Sequence, residues 1–339
     1  MPRAVVCPDK LKGTLSAPEA AAAMSAGLRR AGWEDVVERP LADGGEGTID
    51  AIRAARGGQL RSARVTGPLG DPVDASWLVL ADGTAVVETA RAVGLQLVTG
   101  ERDALRASSR GAGELIRAAA SAGARRIVVG VGGSAMTDGG LAAVEVLGWS
   151  LRGLDVTVAC DVRTRFVDAA AAFGPQKGAT AAQVQLLTRR LEQIADQYEQ
   201  RLGVEIRACE GGGAAGGLAG GLAALGAELD SGFEAVADAV GLGEALEGAA
   251  LVVTGEGRLD QSSFEGKVVG GVLEWSAEEG VAGRAVIAGQ VAAGLEVPEG
   301  VVVQALVDRA FQAGEAFVRA GLLVEEAALE IGREMLKGI

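Results

Sequence analysis

Short runs of β-branched residues alternate with longer Ala- and Leu-rich runs along most of the chain. The short runs are typical of strands in a covered parallel sheet, and the long runs are typical of the helices that connect such strands. The pattern predicts strands at residues 4–6, 36–39, 126–130, 156–160, 251–253, 284–288 and 301–307. It predicts helices at residues 17–30, 48–55, 111–122, 141–147, 181–202, 218–229, 268–279 and 315–337, the first of them with Ser16 as its N-cap and Gly32 as its stop.

The segment from residue 61 to residue 98 has a different pattern. Three short segments (62–66, 75–80 and 85–88) are separated by the turn dipeptides Gly67-Pro68, Asp71-Pro72 and Asp82-Gly83. This spacing is typical of hairpins and not of strand–helix–strand units. The sequence therefore predicts an α/β protein whose ends form a parallel sheet and whose middle forms a mixed sheet, with one domain inserted into the other.

Composition narrows the function classes. The 339 residues are enough for about two domains, and the 45 acidic and 32 basic residues give a net charge of −13, which disfavours nucleic-acid and membrane partners. Histidine is absent, so mechanisms that need an imidazole are excluded. Three widely spaced cysteines and no leader-like or membrane-spanning run lead us to expect a cytoplasmic protein.

Four clusters of glycine and charged residues follow predicted strands. In an open α/β sheet, ligands bind beyond the carboxyl ends of the strands. Glycine-rich turns can present backbone N–H groups to phosphate, carboxylates can hold Mg²⁺ or accept a proton, and Lys and Arg can bind anions. The clusters lie at residues 8–14, 42–48, 130–140 and 254–260, and a fifth, basic turn lies at residues 174–178.

Glycine spacing also suggests a different class of enzyme. Residues 130–135 match G-x-G-x-x-A and residues 211–216 match G-x-G-x-x-G, as in an NAD(P)-dependent oxidoreductase. The segment before the second match, 204–207, is polar for a buried strand, and the acidic residues expected about 20 positions later fall in or just past a helix. Close helix packing through small residues is the alternative interpretation of residues 211–217. A Walker A motif and the protein-kinase motifs are absent from the sequence.

Taken in order, the clusters resemble the bacterial type I glycerate kinase family. The matching segments are CPDKLKGTLSAPEAA (7–21), PLADGGEGTIDA (40–51), VTGPLGDPV (65–73), GELI (113–116), VGVGGSAMTDGG (129–140), ACDV (159–162), FGPQKGA (173–179), GGGAAGGLAGGL (211–222) and LVVTGEGRLDQSSFEGK (251–267). The resemblance implies phosphorylation of D-glycerate with ATP and Mg²⁺, usually to 2-phosphoglycerate. It also implies a flavodoxin-like domain at residues 1–65 and 250–339, an inserted domain resembling restriction enzymes at residues 66–249, and a cleft between the two.

Site residues follow from the matched positions, with roles assigned on physical grounds. We expect catalytic roles for Asp43 or Asp260 as the base, and for Lys12 and Arg258 as anion ligands. We expect the metal near Asp138 and Glu256. The nucleotide is expected to contact Gly44, Gly45, Gly132, Gly133, Ser134, Lys177, Gly255 and Gly257.

The chain departs from the family pattern in its middle domain. It is shorter between residues 148 and 156, and Arg163-Thr164-Arg165-Phe166 replace an Asn-Pro and glycine turn. A non-catalytic sensor of glycerate or nucleotide is therefore an alternative to the kinase. A homo-oligomer is compatible with the sequence.

Overall fold

The computed structural model describes residues 2–309 and 313–338. Two compact units make up the chain. The terminal unit contains the residues up to Asp43, Asp50–Arg56 and the residues from Val236 onwards, and the inserted unit contains Gly44–Ile49 and Gly57–Ala235. The domain limits and the interdomain cleft expected from the sequence stay predictions.

Strands and helices alternate along most of the described chain. The strands are β1 (Arg3–Val6), β2 (Asp35–Glu38), β3 (Gln59–Thr66), β4 (Pro72–Val79), β5 (Ala85–Glu88), β6 (Arg126–Gly130), β7 (Asp155–Ala159), β8 (Glu228–Asp230), β9 (Ala249–Leu259), β10 (Gly283–Val291) and β11 (Val301–Ala305). The helices are α1 (Ala17–Ala31), α2 (Thr48–Arg56), α3 (Ala90–Val93), α4 (Arg110–Ser121), α5 (Leu141–Val146), α6 (Ala169–Phe173), α7 (Ala181–Leu202), α8 (Leu218–Ala224), α9 (Gly232–Val240), α10 (Leu242–Leu246), α11 (Val268–Glu278), α12 (Ala313–Val318) and α13 (Ala320–Leu336).

The terminal unit is built on a five-stranded parallel sheet. Its strand order is β11-β10-β9-β1-β2. Numbered within this unit alone, the order is 2-1-3-4-5, which is the flavodoxin-like order. Helices α1 and α13 pack on the sheet through a core that includes Met24, Leu28, Leu323 and Ile331. The flavodoxin-like expectation is confirmed.

The inserted unit is built on a six-stranded mixed sheet with the order β3-β4-β5-β6-β7-β8. The first two pairs, β3–β4 and β4–β5, are antiparallel, and the pairs from β5 to β8 are parallel. The hairpins predicted from the turn dipeptides and the second, mixed sheet are therefore confirmed.

Residues 204–207 form no strand, in agreement with their polar character, and Arg207 pairs there with acidic residues that include Glu192 and Glu205. Two local predictions were wrong. The helix predicted at 218–229 ends at Ala224, since Gly226 has a φ of +96°, and the chain then enters β8. Strand β9 continues to Leu259, so residues 254–259 belong to a strand and not to a loop.

None of the helices in the described ranges is long and apolar enough to cross a membrane.

Candidate active site

A cavity of about 460 Å³ lies at the carboxyl edge of the terminal unit's sheet. Asp9 follows β1, Asp43 follows β2, Glu256 lies in β9, Gly289 lies in β10 and Leu306 follows β11, so all five strands contribute to its wall. The order of the sheet reverses between β1 and β9, and such a switch point is where open α/β sheets bind ligands. The cavity therefore stands where the fold predicts a site.

The loop after β1 is a tight turn that presents two lysines. The backbone N–H of Asp9 donates to the carbonyl of Gly255 at 2.9 Å, which fixes the start of the loop against β9. Leu11 and Leu15 form a β-bridge, and the Thr14 hydroxyl donates to the Leu11 carbonyl at 2.8 Å. This arrangement leaves the side chains of Lys10 and Lys12 in the cavity wall.

Two carboxylates share one lysine in this wall. Lys10 Nζ lies 3.7 Å from Asp9 Oδ1 and 3.6 Å from Asp43 Oδ1. Burial raises the pKa of Asp9 to about 6, against the opposing effect of Lys10 and with a further contribution from Asp43. Asp9 was not among the predicted site residues, although its place after an apolar strand and before two lysines was visible in the sequence.

Glu256 faces the same cavity from β9. Burial raises its pKa, while hydrogen bonding from Ser263 lowers it. Its Oε1 atom is buried and has no hydrogen-bond partner among the described residues. An unpartnered buried carboxylate oxygen is costly, so this atom is suited to bind a cation or a hydroxyl group.

Gly255 and Gly257 have packing reasons to be glycine. A Cβ at Gly255 would lie 2.2 Å from the Ile287 carbonyl oxygen, and one at Gly257 would lie 3.0 Å from the backbone nitrogen of Lys12. Gly257 lines the cavity and Gly255 does not.

The charged residues that follow Gly257 divide between the cavity and the turn after β9. Arg258 and Lys267 line the cavity, whereas Asp260 does not. Asp260 Oδ1 accepts hydrogen bonds from the backbone N–H and the hydroxyl of Ser262, at 3.0 and 2.6 Å, which lowers its pKa. The carboxylate therefore caps the turn at Gln261–Phe264.

In the inserted unit, Lys177 anchors the glycine-rich loop after β6. The side chain is only 2% exposed, and Nζ donates to the Ser134 hydroxyl at 3.2 Å and to the Met136 carbonyl at 2.5 Å. Burial lowers the pKa of Lys177 to about 8, opposed by the charge of Asp138. The structure brings Lys177, Ser134 and Asp138 together as a buried group.

Asp138 has its carboxylate oxygens engaged within the protein. They accept hydrogen bonds from the Ser109 backbone N–H at 2.7 Å, from the Ser109 hydroxyl at 2.9 Å and from the Gly140 N–H at 3.2 Å. Burial nevertheless raises its pKa. Asp138 and Glu256, the two predicted metal ligands, belong to different units. Within residues 2–309 and 313–338, no three Cys, Asp or Glu side chains are grouped to hold a metal ion.

The remaining predicted glycines bring turns of the inserted unit close together. A Cβ at Gly132 would lie 2.6 Å from the Gly45 Cα, and one at Gly44, where φ is +74°, would lie 2.8 Å from the Ala159 carbonyl oxygen. Gly133 has a φ of +70° in the same loop as Ser134. Their predicted contacts with a nucleotide stay predictions.

The second glycine motif lacks the context that a dinucleotide site requires. Residues 203–213 contain no strand in the structure. A Cβ at Gly216 would lie 2.1 Å from the Met136 carbonyl oxygen, and one at Gly217 would lie 2.7 Å from the Gly139 Cα. These two glycines thus serve close packing, which removes the support that the second motif gave to the oxidoreductase alternative.

Similarity to known proteins extends over most of the chain. A model of the glycerate kinase family matches residues 4–155 and 149–336, and the two ranges meet at the segment that the sequence indicates to be shortened. Glycerate 2-kinase of Escherichia coli K12 is 42% identical over 306 residues, which cover 79% of this chain and 80% of the relative. Glycerate kinase of Bacillus subtilis 168 is 38% identical over 307 residues, covering 80% of each.

A solved structure extends the similarity to three dimensions. The crystal structure of a glycerate kinase 2 from Salmonella typhimurium LT2 superposes with a TM-score of 0.85 at 35% identity, covering 99% of this chain and 98% of the other. Given matches of this extent in sequence and in structure, the chain belongs to the glycerate kinase family.

Proposed function

We propose that the protein transfers the terminal phosphoryl group of ATP, supplied with Mg²⁺, to a hydroxyl of D-glycerate, with 2-phosphoglycerate as the product. The observation that supports this most directly is the cavity of the terminal unit, where lysine, arginine and carboxylate side chains lie together at the switch point of the sheet. Phosphoryl transfer depends mainly on positioning and on charge stabilisation, for which these groups are sufficient without histidine.

The cations of the cavity divide between the two substrates. Arg258 has a planar guanidinium that pairs with a carboxylate through two hydrogen bonds, so we assign it to the carboxylate of glycerate. Lys12 and Lys267 are assigned to the phosphates, which an ammonium group binds as a point charge. Lys267 Nζ already donates to the Ser262 hydroxyl at 2.8 Å, which restricts the side chain before a substrate arrives.

Asp43 is assigned as the acceptor of the proton that the glycerate hydroxyl loses. It lines the cavity and is partly exposed, whereas Asp260 is engaged as a cap outside the cavity. Asp9 lies beside the same lysine and is the second carboxylate able to take this role.

The donor set of the cavity fits Mg²⁺ at one position. Glu256 has a buried carboxylate oxygen without a described partner, and Mg²⁺ in kinases binds to one or two carboxylates together with substrate phosphates. Glu256 would hold the ion, which when bound neutralises charge on the phosphate oxygens. Asp138 fits less well, because its oxygens already accept three hydrogen bonds.

The proposal is tested by incubating the full chain with D-glycerate, ATP and Mg²⁺. ADP is followed with a coupled assay, and the product is identified by phosphorus NMR, which distinguishes 2-phosphoglycerate from 3-phosphoglycerate. L-glycerate and glycerol are the control acceptors. ADP formation no higher than without acceptor would contradict the proposal, and calorimetric binding of glycerate without turnover would favour a sensor.

A further inference from the structure

The cavity of the terminal unit has an apolar end, beside the edge strand β11 of its sheet, that none of the sequence motifs indicated. Leu306 and Val307 follow β11, Phe317 lies near the end of α12, and Ala320 begins α13, and all four line the cavity. The Phe317 residue is 55% exposed, in a chain with only six phenylalanines. A large exposed ring in the wall of a charged cavity is unusual for a residue whose role is only to pack in a core.

We propose that this apolar end binds the purine base of ATP, with the Phe317 ring against the face of the base. The inference rests on the proposed kinase function and adds the location of the nucleotide, which it places in the terminal unit. An aromatic ring suits this role because it stacks on a planar base through dispersion and removal of apolar surface from water.

The division of charge in the cavity supports a nucleotide as its occupant. Lys10, Lys12, Arg258 and Lys267 line the cavity together with the apolar residues. A nucleoside triphosphate has the same division, with a polyanion at one end and a flat, weakly polar base at the other. Glycerate alone is small and polar throughout, and gives no reason for an apolar wall.

The size of the cavity also supports a nucleotide as its occupant. Its volume of about 460 Å³ equals that of roughly fifteen water molecules in the liquid, far more than a three-carbon acid needs. Gln290 also lines the cavity and offers an amide donor and acceptor for the ribose hydroxyls or the edge of the base.

The test is calorimetric titration of the full chain with ADP, for the wild type and for two neighbouring variants. We expect Phe317→Ala to weaken ADP binding about fivefold or more, as expected for loss of one base–aromatic stack. Val318→Ala is the matched control, because Val318 is 88% exposed on the same helix and does not line the cavity. It should change the Kd by less than about twofold. Phe317→Tyr should restore most of the affinity.

Two further measurements separate the base from the phosphates and from glycerate. The Kd of inorganic triphosphate and the KM for D-glycerate should be unchanged in Phe317→Ala. An unchanged Kd for ADP would overturn the inference, as would an equal loss of triphosphate binding or no ADP binding by the wild type. If the wild type binds ADP through Phe317 but forms no phosphoglycerate, the kinase proposal fails and the nucleotide site stands.

Discussion

Asp9 is a mostly buried side chain whose charge the folded state must accommodate. Burial raises its pKa to about 6, whereas an unfolded chain has an Asp pKa near 3.9. Between about pH 4 and pH 6 the native state therefore binds more protons than the unfolded state, so stability falls as pH rises through this window. Above about pH 6 the loss of folding stability is constant, and it amounts to as much as about 3 kcal/mol.

The variant Asp9→Asn should remove this loss. Asn can keep the acceptor that takes the Lys10 backbone N–H at 2.7 Å, and it carries no charge. We expect the variant to be more stable than the wild type at pH 8, by up to about 3 kcal/mol, and equally stable near pH 4. Urea unfolding at the two pH values measures the difference. A variant less stable at pH 8 would show that the ion pair with Lys10 outweighs the cost of burial.

Asp43 carries the prediction for catalysis. Asp43→Asn should lower kcat about 100-fold or more, the usual contribution of a positioned proton acceptor. The matched control is Asp35→Asn. Asp35 begins β2, the strand that precedes Asp43, where it pairs with Arg3, and it does not line the cavity. If Asp43→Asn kept full activity while Asp9→Asn lost it, the proton acceptor would be Asp9.

The sequence indicated some of the charged residues of this cavity and none of its apolar ones, for a physical reason. Lys12, Asp43, Glu256 and Arg258 are charged residues that follow or end apolar strands, a pattern visible without coordinates. Phe317 lies in an Ala-rich helical run, where an isolated aromatic residue resembles a core residue. Its exposure depends on how α12 is placed in the terminal unit, which local sequence does not encode.

Helices α1 and α13 illustrate close packing that depends on one glycine. A Cβ at Gly27 would lie 2.2 Å from the Glu325 carbonyl oxygen of the facing helix. We expect Gly27→Ala to destabilise the protein by roughly 1–3 kcal/mol, because a methyl group there forces the two helices apart. Urea or thermal unfolding with circular dichroism measures the change.

The control for this variant is a glycine in open space. Gly243 lies in α10, and within the described part of the chain no atom beyond its two neighbours and its own helix backbone lies within 4 Å of the Cβ position. Gly243→Ala should therefore leave stability unchanged or raise it by up to about 1 kcal/mol, through the better helix propensity of alanine. Equal effects of the two substitutions would contradict the close approach of α1 and α13.

Elements with strong local signals were predicted well, and those without them were not. Helices α1 and α7 begin at capping boxes, Ser16 with Glu19 and Thr180 with Gln183. The Ser16 box was recognised from the sequence. Strand β8 has only three residues, and its place is set by pairing with β7, more than 60 positions away in sequence. Such a strand has too little local pattern to distinguish it from the end of a helix.

At the scale of the molecule, strand order explains why distant clusters meet. Strand β1 lies between β2 and β9, so the loop at residues 8–14 contacts residues near 256 despite their separation in sequence. The alternating pattern predicted parallel strands, but it did not determine which strands are neighbours. That order depends on long-range pairing, and it places the switch point between β1 and β9 at the cavity.

Hydrogen exchange with a non-hydrolysable ATP analogue tests where the nucleotide lies in the whole molecule. We expect slower exchange in residues 10–14 and 261–267 of the terminal unit, since amide groups in these loops flank Lys12 and Lys267. Binding of a ligand to the native state slows local opening at its site. The Phe317→Ala variant should show the same protected loops at saturating analogue, because its phosphate ligands are intact. Protection confined to residues 130–140 would instead assign the nucleotide to the glycine-rich loop of the inserted unit, and would rule out the base site at Phe317.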